Sequence, residues 1–381
     1  MKKENKNRKW WQKLLGIVVR GVGAVLLLAG AVVVWLMATE YQPKEREMLV
    51  VSVSEDAGAS EKVRNTHIGD TITIMTWNMG YGALGENADF FMDGGKGVMT
   101  ASKAQVEEHL AQLAEVISAC GADAVFLQEA DRDSTRSHGI DEMSELERLF
   151  QDAGAAYGNA AFAYNFKVKF IPYPLPPIGK VNGGILTFSN LDVESAERVQ
   201  LPCPFTWPVR LVNLKRCLML ERIPVLDEAG EQTGKELVLV NLHLEAYDSG
   251  EGKVAQTKML REILQAEVDR GNYVIAGGDF NQTFSSVDDQ MYPEYEGNWH
   301  CGELDVTEFG ADFNFVMDNS SPTCRSLDQP YAGADWTQFQ YYMIDGFIVS
   351  KNLKVESAKT KNLEFVSTDH NPVLLAVTLA E

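Results

Sequence analysis

The chain has 381 residues, 45% of them hydrophobic, enough to bury one large core or two modest ones. Its formal charge is −20, and seven basic residues against a single acid fall in the first twenty positions, so the remainder carries −26. A surface of that sign argues against bulk attraction to polyanions, and five cysteines without a CxxC pair or a Cys/His cluster at zinc spacing argue against a structural zinc site.

Residues 1–13 form a Lys-rich leader and residues 14–38 are almost wholly apolar. The uncharged stretch Gly21–Ala38 is long enough to cross a bilayer as a helix at about 1.5 Å per residue. Arg20 can snorkel at one end, and Trp35 and Tyr41 suit the opposite interface. The basic leader is expected in the cytoplasm and everything after Thr39 outside it, as a single-pass anchor. A cleaved signal peptide is the alternative, although Leu36-Met37-Ala38 is a poor cleavage site. Residues 39–70 are polar and of mixed charge, expected as a stalk, and residues 71–381 as the folded domain. Export permits disulfides; Cys301 with Cys324 is the first pair to test, five free thiols being the alternative.

Within the domain, apolar β-rich runs end in polar residues. Thr71–Trp77 stops at Asn78, and an amphipathic helix over Lys103–Ala119 follows, with Val106, Leu110, Leu113 and Ile117 on one face. Ala124–Leu127 stops at Gln128-Glu129. Gly184–Ser189 and Leu237–Leu244 come next, the second containing His243, and a helix over Ala255–Val268 leads to Tyr273–Ala276. That strand breaks at Gly277 and Gly278, where the backbone is expected to turn and approach a ligand, and delivers Asp279 and Asn281. Ile344–Val349 carries Asp345, an acid costly to bury unless paired, and Ser367-Thr368-Asp369-His370 precedes the last strand, Val373–Leu379. Taken singly, these residues also fit turns or satisfied structural groups. Their repeated place at strand carboxyl ends is where open α/β sheets put ligands.

The ordered set Trp77-Asn78, Gln128-Glu129, the Asn-Leu-His-Leu around His243, Gly277–Asn281, Ile344-Asp345 and Ser367–His370 resembles the endonuclease/exonuclease/phosphatase superfamily. These are deoxyribonuclease I-like, metal-dependent phosphoesterases that also include neutral sphingomyelinases and inositol polyphosphate 5-phosphatases. The resemblance covers roughly Ile72–Leu379. It implies a four-layer α/β sandwich, two facing mixed β-sheets flanked by helices, here preceded by one transmembrane helix. It also implies hydrolysis of a phosphoester with Mg²⁺, Mn²⁺ being the alternative cation. Glu129 and Asp369, with Asn78, would form the metal site; Asn78, Asn281 and His243 would contact the phosphate. Asp279 would orient or deprotonate the attacking water, and Asp345 would hold and polarise His370.

The chemistry explains these residue types. A phosphodiester repels nucleophiles, so a catalyst must neutralise its oxygens and hold water in line with the leaving oxygen. Hard carboxylate oxygens suit Mg²⁺, and carboxamides can donate N–H without adding negative charge. One departure is Asp131, where some nuclease members have arginine; Arg136 is expected in a solvated salt bridge rather than on substrate. Asn165–Gly184, with four prolines, is expected as an extended, basic and aromatic loop outside the central strands, able to rest on a lipid surface or stack on bases. The expected partners are therefore a lipid-headgroup or nucleic-acid phosphoester and, through the N-terminal helix, the membrane; no obligate protein partner is implied. A headgroup phosphodiesterase at the outer face is favoured, with an anchored exported nuclease and a non-catalytic binding protein as alternatives.

Overall fold

The computed structural model describes residues 2–54, 58, 61–248 and 250–380, with the side chains of residues 2–9 left aside. Two β-sheets lie face to face. The first runs, strand by strand, Leu353–Thr360, Val373–Leu379, Thr71–Asn78, Ala124–Asp131, Gly179–Ser189, Asn159–Ile171, Val51–Val53. The second runs Arg46–Leu49, Ser195–Gln200, Cys217–Leu226, Gln232–His243, Tyr273–Asp279, Asp345–Ser350, Phe313–Val316, with Thr66–His67 added beside Cys217–Leu226. Both sheets mix parallel and antiparallel pairs.

Between the sheets, Ile72, Ile74 and Phe126 meet Leu239, Ile275 and Phe347 in one buried cluster. The outer face of the first sheet is covered by the helix Lys103–Cys120, whose Val106, Leu110, Leu113 and Ile117 are all buried against Trp77 and Leu127. Its start is fixed by a capping box between Ser102 and Gln105, and its end by left-handed Gly121. The helix Glu251–Asp269 covers the second sheet with Leu260 and Leu264. The result is the expected four-layer sandwich.

Three local expectations change. The strand Tyr273–Asp279 continues through both glycines. A Cβ on Gly277 would meet the Phe347 ring at 2.4 Å, and one on Gly278 would meet the Leu242 carbonyl oxygen at 1.9 Å. These glycines therefore admit neighbouring strands and the facing sheet, not a ligand. Second, most of Asn165–Gly184 belongs to a long hairpin between Asn159–Ile171 and Gly179–Ser189; the prolines are confined to its tip. Third, all five cysteines are free. Cys301 and Cys324 share a small cluster around Tyr342, but the Cys301 thiol lies 3.4 Å from Thr283 Oγ1.

The N-terminal helix runs Lys2–Ala38, and its Trp10–Ala38 portion is long and apolar enough to cross a membrane. The segment that follows supplies edge strands to both sheets: Arg46–Leu49 pairs with Ser195–Gln200, and Val51–Val53 with Asn159–Ile171.

Candidate active site

Strand register builds the site. In the second sheet His243 lies opposite Asp279 on a parallel neighbour, and Asp279 lies opposite Asp345 on an antiparallel one. Three adjacent strand ends thus present an imidazole and two carboxylates side by side. In the first sheet Asn78 pairs with Gln128. The next residue, Glu129, adopts φ 55° at a bulge between Leu127 and Ala130, which re-aims its side chain out of the ladder. The turn before the last strand brings Asp369 and His370 to the same place, and the Trp77 indole fixes the His370 carbonyl at 2.9 Å. All eight expected site residues except Asp345 line one cleft of about 400 Å³. Asp345 lies just behind it, fully buried.

Asp279 is the hub. Its Oδ2 accepts from Asn78 Nδ2 at 3.0 Å, lies 3.4 Å from His243 Nε2 and 3.8 Å from His370 Nε2, while its Oδ1 accepts from the Asn281 backbone N–H at 2.9 Å. Burial and then the adjacent Asp345 push Asp279 up to about 7, despite the opposing hydrogen bonds. The two imidazoles differ. Burial holds His243 well below its ordinary value, reinforced by Arg216 and His370, so it is neutral. Burial also opposes a charge on His370, but its Nδ1 contacts Asp345 Oδ2 at 2.8 Å and that carboxylate raises it well above the usual range. Thr323 Oγ1 in turn accepts from the Ile344 and Asp345 backbone N–H groups at 3.0 and 3.1 Å, fixing the strand that carries the acid.

The carboxamides are already partly engaged. Asn78 Nδ2 also reaches Glu129 Oε1 at 3.4 Å, and its Oδ1 accepts from the Gly80 backbone N–H at 3.0 Å, so this amide ties Glu129 to Asp279. Asn281, at φ 51°, donates to the Leu244 carbonyl at 2.9 Å. Arg136 is in a salt bridge, though a largely buried one and not the solvated pair expected, bidentate to Asp131 at 2.9 and 3.0 Å, and its guanidinium lies 3.8 Å from the Tyr81 ring centre on the cleft wall.

The donor set fits a hard cation. Glu129 keeps a side chain 27% exposed to the cleft, with burial raising its carboxyl and Arg136 opposing. Asp369 Oδ1 is held by Thr368 Oγ1 at 3.2 Å. Among the described residues, two groups bring ligand atoms within 4.8 Å of one another, Cys324 with Asp369 and His370, and Asp279 with Asp345 and His370; Glu129 belongs to neither. Burial pushes the Cys324 thiol up to about 12.

Three residues take supporting roles that spacing alone does not assign, although Gln128 and Asn241 stand within the ordered motif set. Gln128 Nε2 donates to Asn241 Oδ1 at 2.8 Å, and Asn241 Nδ2 donates to the Leu186 carbonyl at 3.0 Å and to Thr187 Oγ1 at 3.2 Å, a buried polar bridge between the sheets beneath the site. Asn241 stands two residues before His243, on the same strand face, and that spacing was the available signal. Arg216, bonded to Glu245 Oε2 and the His243 carbonyl at 3.3 Å each, left no motif.

Two mixed sheets flanked by helices, with an acid, an Asp–His pair and clustered oxygen donors at their shared edge, define a deoxyribonuclease I-like phosphoesterase. The model of the Endonuclease/Exonuclease/phosphatase family matches residues 75–370, and the chain belongs to this family of divalent-metal-dependent enzymes. Among solved structures, an endonuclease/exonuclease/phosphatase from Beutenbergia cavernae DSM 12333 is 17% identical, with TM-score 0.52 over 81% of this chain and 72% of that one. A family protein from Leptotrichia buccalis C-1013-b is also 17% identical, with TM-score 0.51 over 80% and 99%. These likenesses concern the fold. Among curated proteins, none matches this chain.

Proposed function

We propose that this chain is a membrane-anchored phosphodiesterase that acts on lipid headgroups at the outer face, with everything after the N-terminal helix outside the membrane; the domain there includes the edge strands Arg46–Leu49 and Val51–Val53, so residues 39–70 are not a separate stalk. The observation that carries this reading is the division of the cleft: His243, Asp279 and His370 gather at its base, while Phe91, Phe166, Tyr173, Ile178, Phe205 and Val212 line its wall. Such a wall suits an apolar substituent on the phosphoester. The arginines of the cleft are committed elsewhere, Arg136 to Asp131, Arg216 to Glu245 and Arg325 to the Gly85 carbonyl at 2.8 Å, which weighs against tracking a nucleic-acid backbone.

In this mechanism Asp279, poised near neutrality, takes a proton from the attacking water, whose oxygen bonds to phosphorus as the in-line ester P–O bond breaks, and the leaving oxygen takes its proton from solvent. His370, charged through Asp345, donates to a non-bridging phosphate oxygen, the second N–H of the Asn281 amide helps hold that group, and Asn78, with its N–H groups on Asp279 and Glu129, positions those two carboxylates beside it. His243, neutral, hydrogen-bonds the ester on the opposite side of Asp279. Glu129 and Asp369 would hold Mg²⁺ or Mn²⁺, which when bound neutralises phosphate charge.

The test is hydrolysis by the purified full chain of sphingomyelin, phosphoinositides, linear DNA, RNA and bis(p-nitrophenyl) phosphate, with and without EDTA. Lipid turnover abolished by chelation and by Asp279→Asn or His370→Ala supports the reading. Activity that survives both would end the mechanism; DNA cleavage without lipid turnover would make the chain an anchored nuclease, and no turnover at all a binding protein.

A further inference from the structure

The membrane helix does not end in a flexible linker. Leu36, in its last turn, is only 7% exposed, and the helix end packs against the short turn Val209–Val212. Two residues after the helix, the Glu40 side chain is 5% exposed and gripped by Arg210 at 3.0 Å and Lys215 at 3.4 Å. Lys215 also donates to the Arg210 carbonyl at 2.6 Å, closing the clamp. The Tyr41 ring lies 5.8 Å from both Lys167 Nζ and the Arg198 guanidinium. The end of the apolar span is therefore fixed to a defined part of the domain surface.

That part of the surface is unusually apolar. Trp207 is 57% exposed and Val209 51%, beside the clamp, and Leu175 is 88% exposed at the tip of the proline-containing hairpin. The two segments are packed together, since Val212 joins the cluster formed by Val168, Ile171 and Val181 at the base of that tip. Exposed Lys169 and half-exposed Arg210 flank them in a chain whose residues after Arg20 carry −26. Tyr173 and Phe205, each two residues from this rim, line the mouth of the cleft.

We propose that the rim formed by Leu175, Trp207 and Val209 inserts into the interfacial layer of the same bilayer that the N-terminal helix crosses, and so sets the cleft mouth against the lipid surface. The occupant is the membrane because the clamp ties this rim to the end of a span, and because exposed aromatic and aliphatic groups bordered by cations match a headgroup boundary. The inference rests on the anchor reading of the helix; its cross-linking test is independent of the chemistry assigned to the site, and its turnover test rests also on the lipid-substrate reading.

The test places a photo-reactive diazirine amino acid at position 175, 207 or 228 of the full chain, reconstituted in phosphatidylcholine–phosphatidylglycerol vesicles. Position 228 is an exposed turn at the far end of the strand Cys217–Leu226, about 30 Å from the clamp end. Lipid cross-linking at 175 and 207 at least about fivefold above 228 is expected for a rim in the interface. Chains that float with the vesicles but cross-link equally at all three positions overturn the rim and leave the anchor; chains that fail to float overturn both. A second measurement uses Leu175→Asp with Trp207→Asp, neither residue lining the cleft. The pair should lower turnover of vesicle-borne substrate about tenfold while leaving bis(p-nitrophenyl) phosphate hydrolysis unchanged. Equal loss on both substrates overturns the rim as a membrane contact.

Discussion

At the scale of single residues, the site separates two imidazoles by charge around one carboxylate. Asp279 must be ionised to accept a proton and His370 must be protonated to bind phosphate, so kcat/KM should follow a bell in pH. The rising limb lies near pH 7, where Asp279 is held, and the falling limb at higher pH, where the raised His370 loses its proton. Asp345→Asn removes the charge that favours the imidazolium and should shift the falling limb to lower pH in the same assay. Asp279→Asn should lower turnover about 10²–10⁴-fold with unchanged circular dichroism. Glu129→Gln weakens a hard-oxygen donor, and the Mg²⁺ concentration for half-maximal rate should rise about tenfold or more, with maximal rate partly recovered at high Mg²⁺. A Mg²⁺ titration that does not move would remove Glu129 from the metal site.

At the scale of elements, polar residues at strand ends were legible because strands stop where hydrogen-bonding side chains appear; Asn78, Glu129 and Asp279 stood out that way, His243 and Asp345 as polar interruptions of apolar runs, and His370 in the Asp-His pair before the last strand. What those residues do to each other was not legible, because it depends on register: His243, Asp279 and Asp345 are neighbours only through pairing of strands far apart in the chain. The glycines show the converse error. Read locally, Gly277 and Gly278 mark a turn; in the sheet they give room to Phe347 and to the Leu242 carbonyl, partners no local pattern identifies. Gly277→Ala should therefore act on stability, costing about 1–3 kcal/mol in urea unfolding through overpacking between the sheets. Prolines misled in a similar way, since their effect is confined to the tip of a hairpin whose strands run on either side.

At the scale of the whole molecule, composition was a poor guide to the site and a better one to the surroundings. The chain after the leader is strongly acidic, yet its cleft gathers Arg136, Arg216 and Arg325, each tied to a buried partner. If the domain faces outward, added protease should digest it in spheroplasts and spare it in inside-out vesicles; the opposite pattern would reverse the proposed topology.

The clamp at Glu40 leaves Thr39 alone between the end of the helix at Ala38 and the folded domain. A tether that short has no swing, so an anchored enzyme of this shape searches in two dimensions. If the helix crosses a bilayer and the substrate is one of its lipids, encounters come from sideways drift within a leaflet, and the rate follows how many target lipids share each patch of surface. Diluting such lipids with inert ones at constant total lipid should slow turnover, whereas adding more vesicles of the same composition should not quicken it.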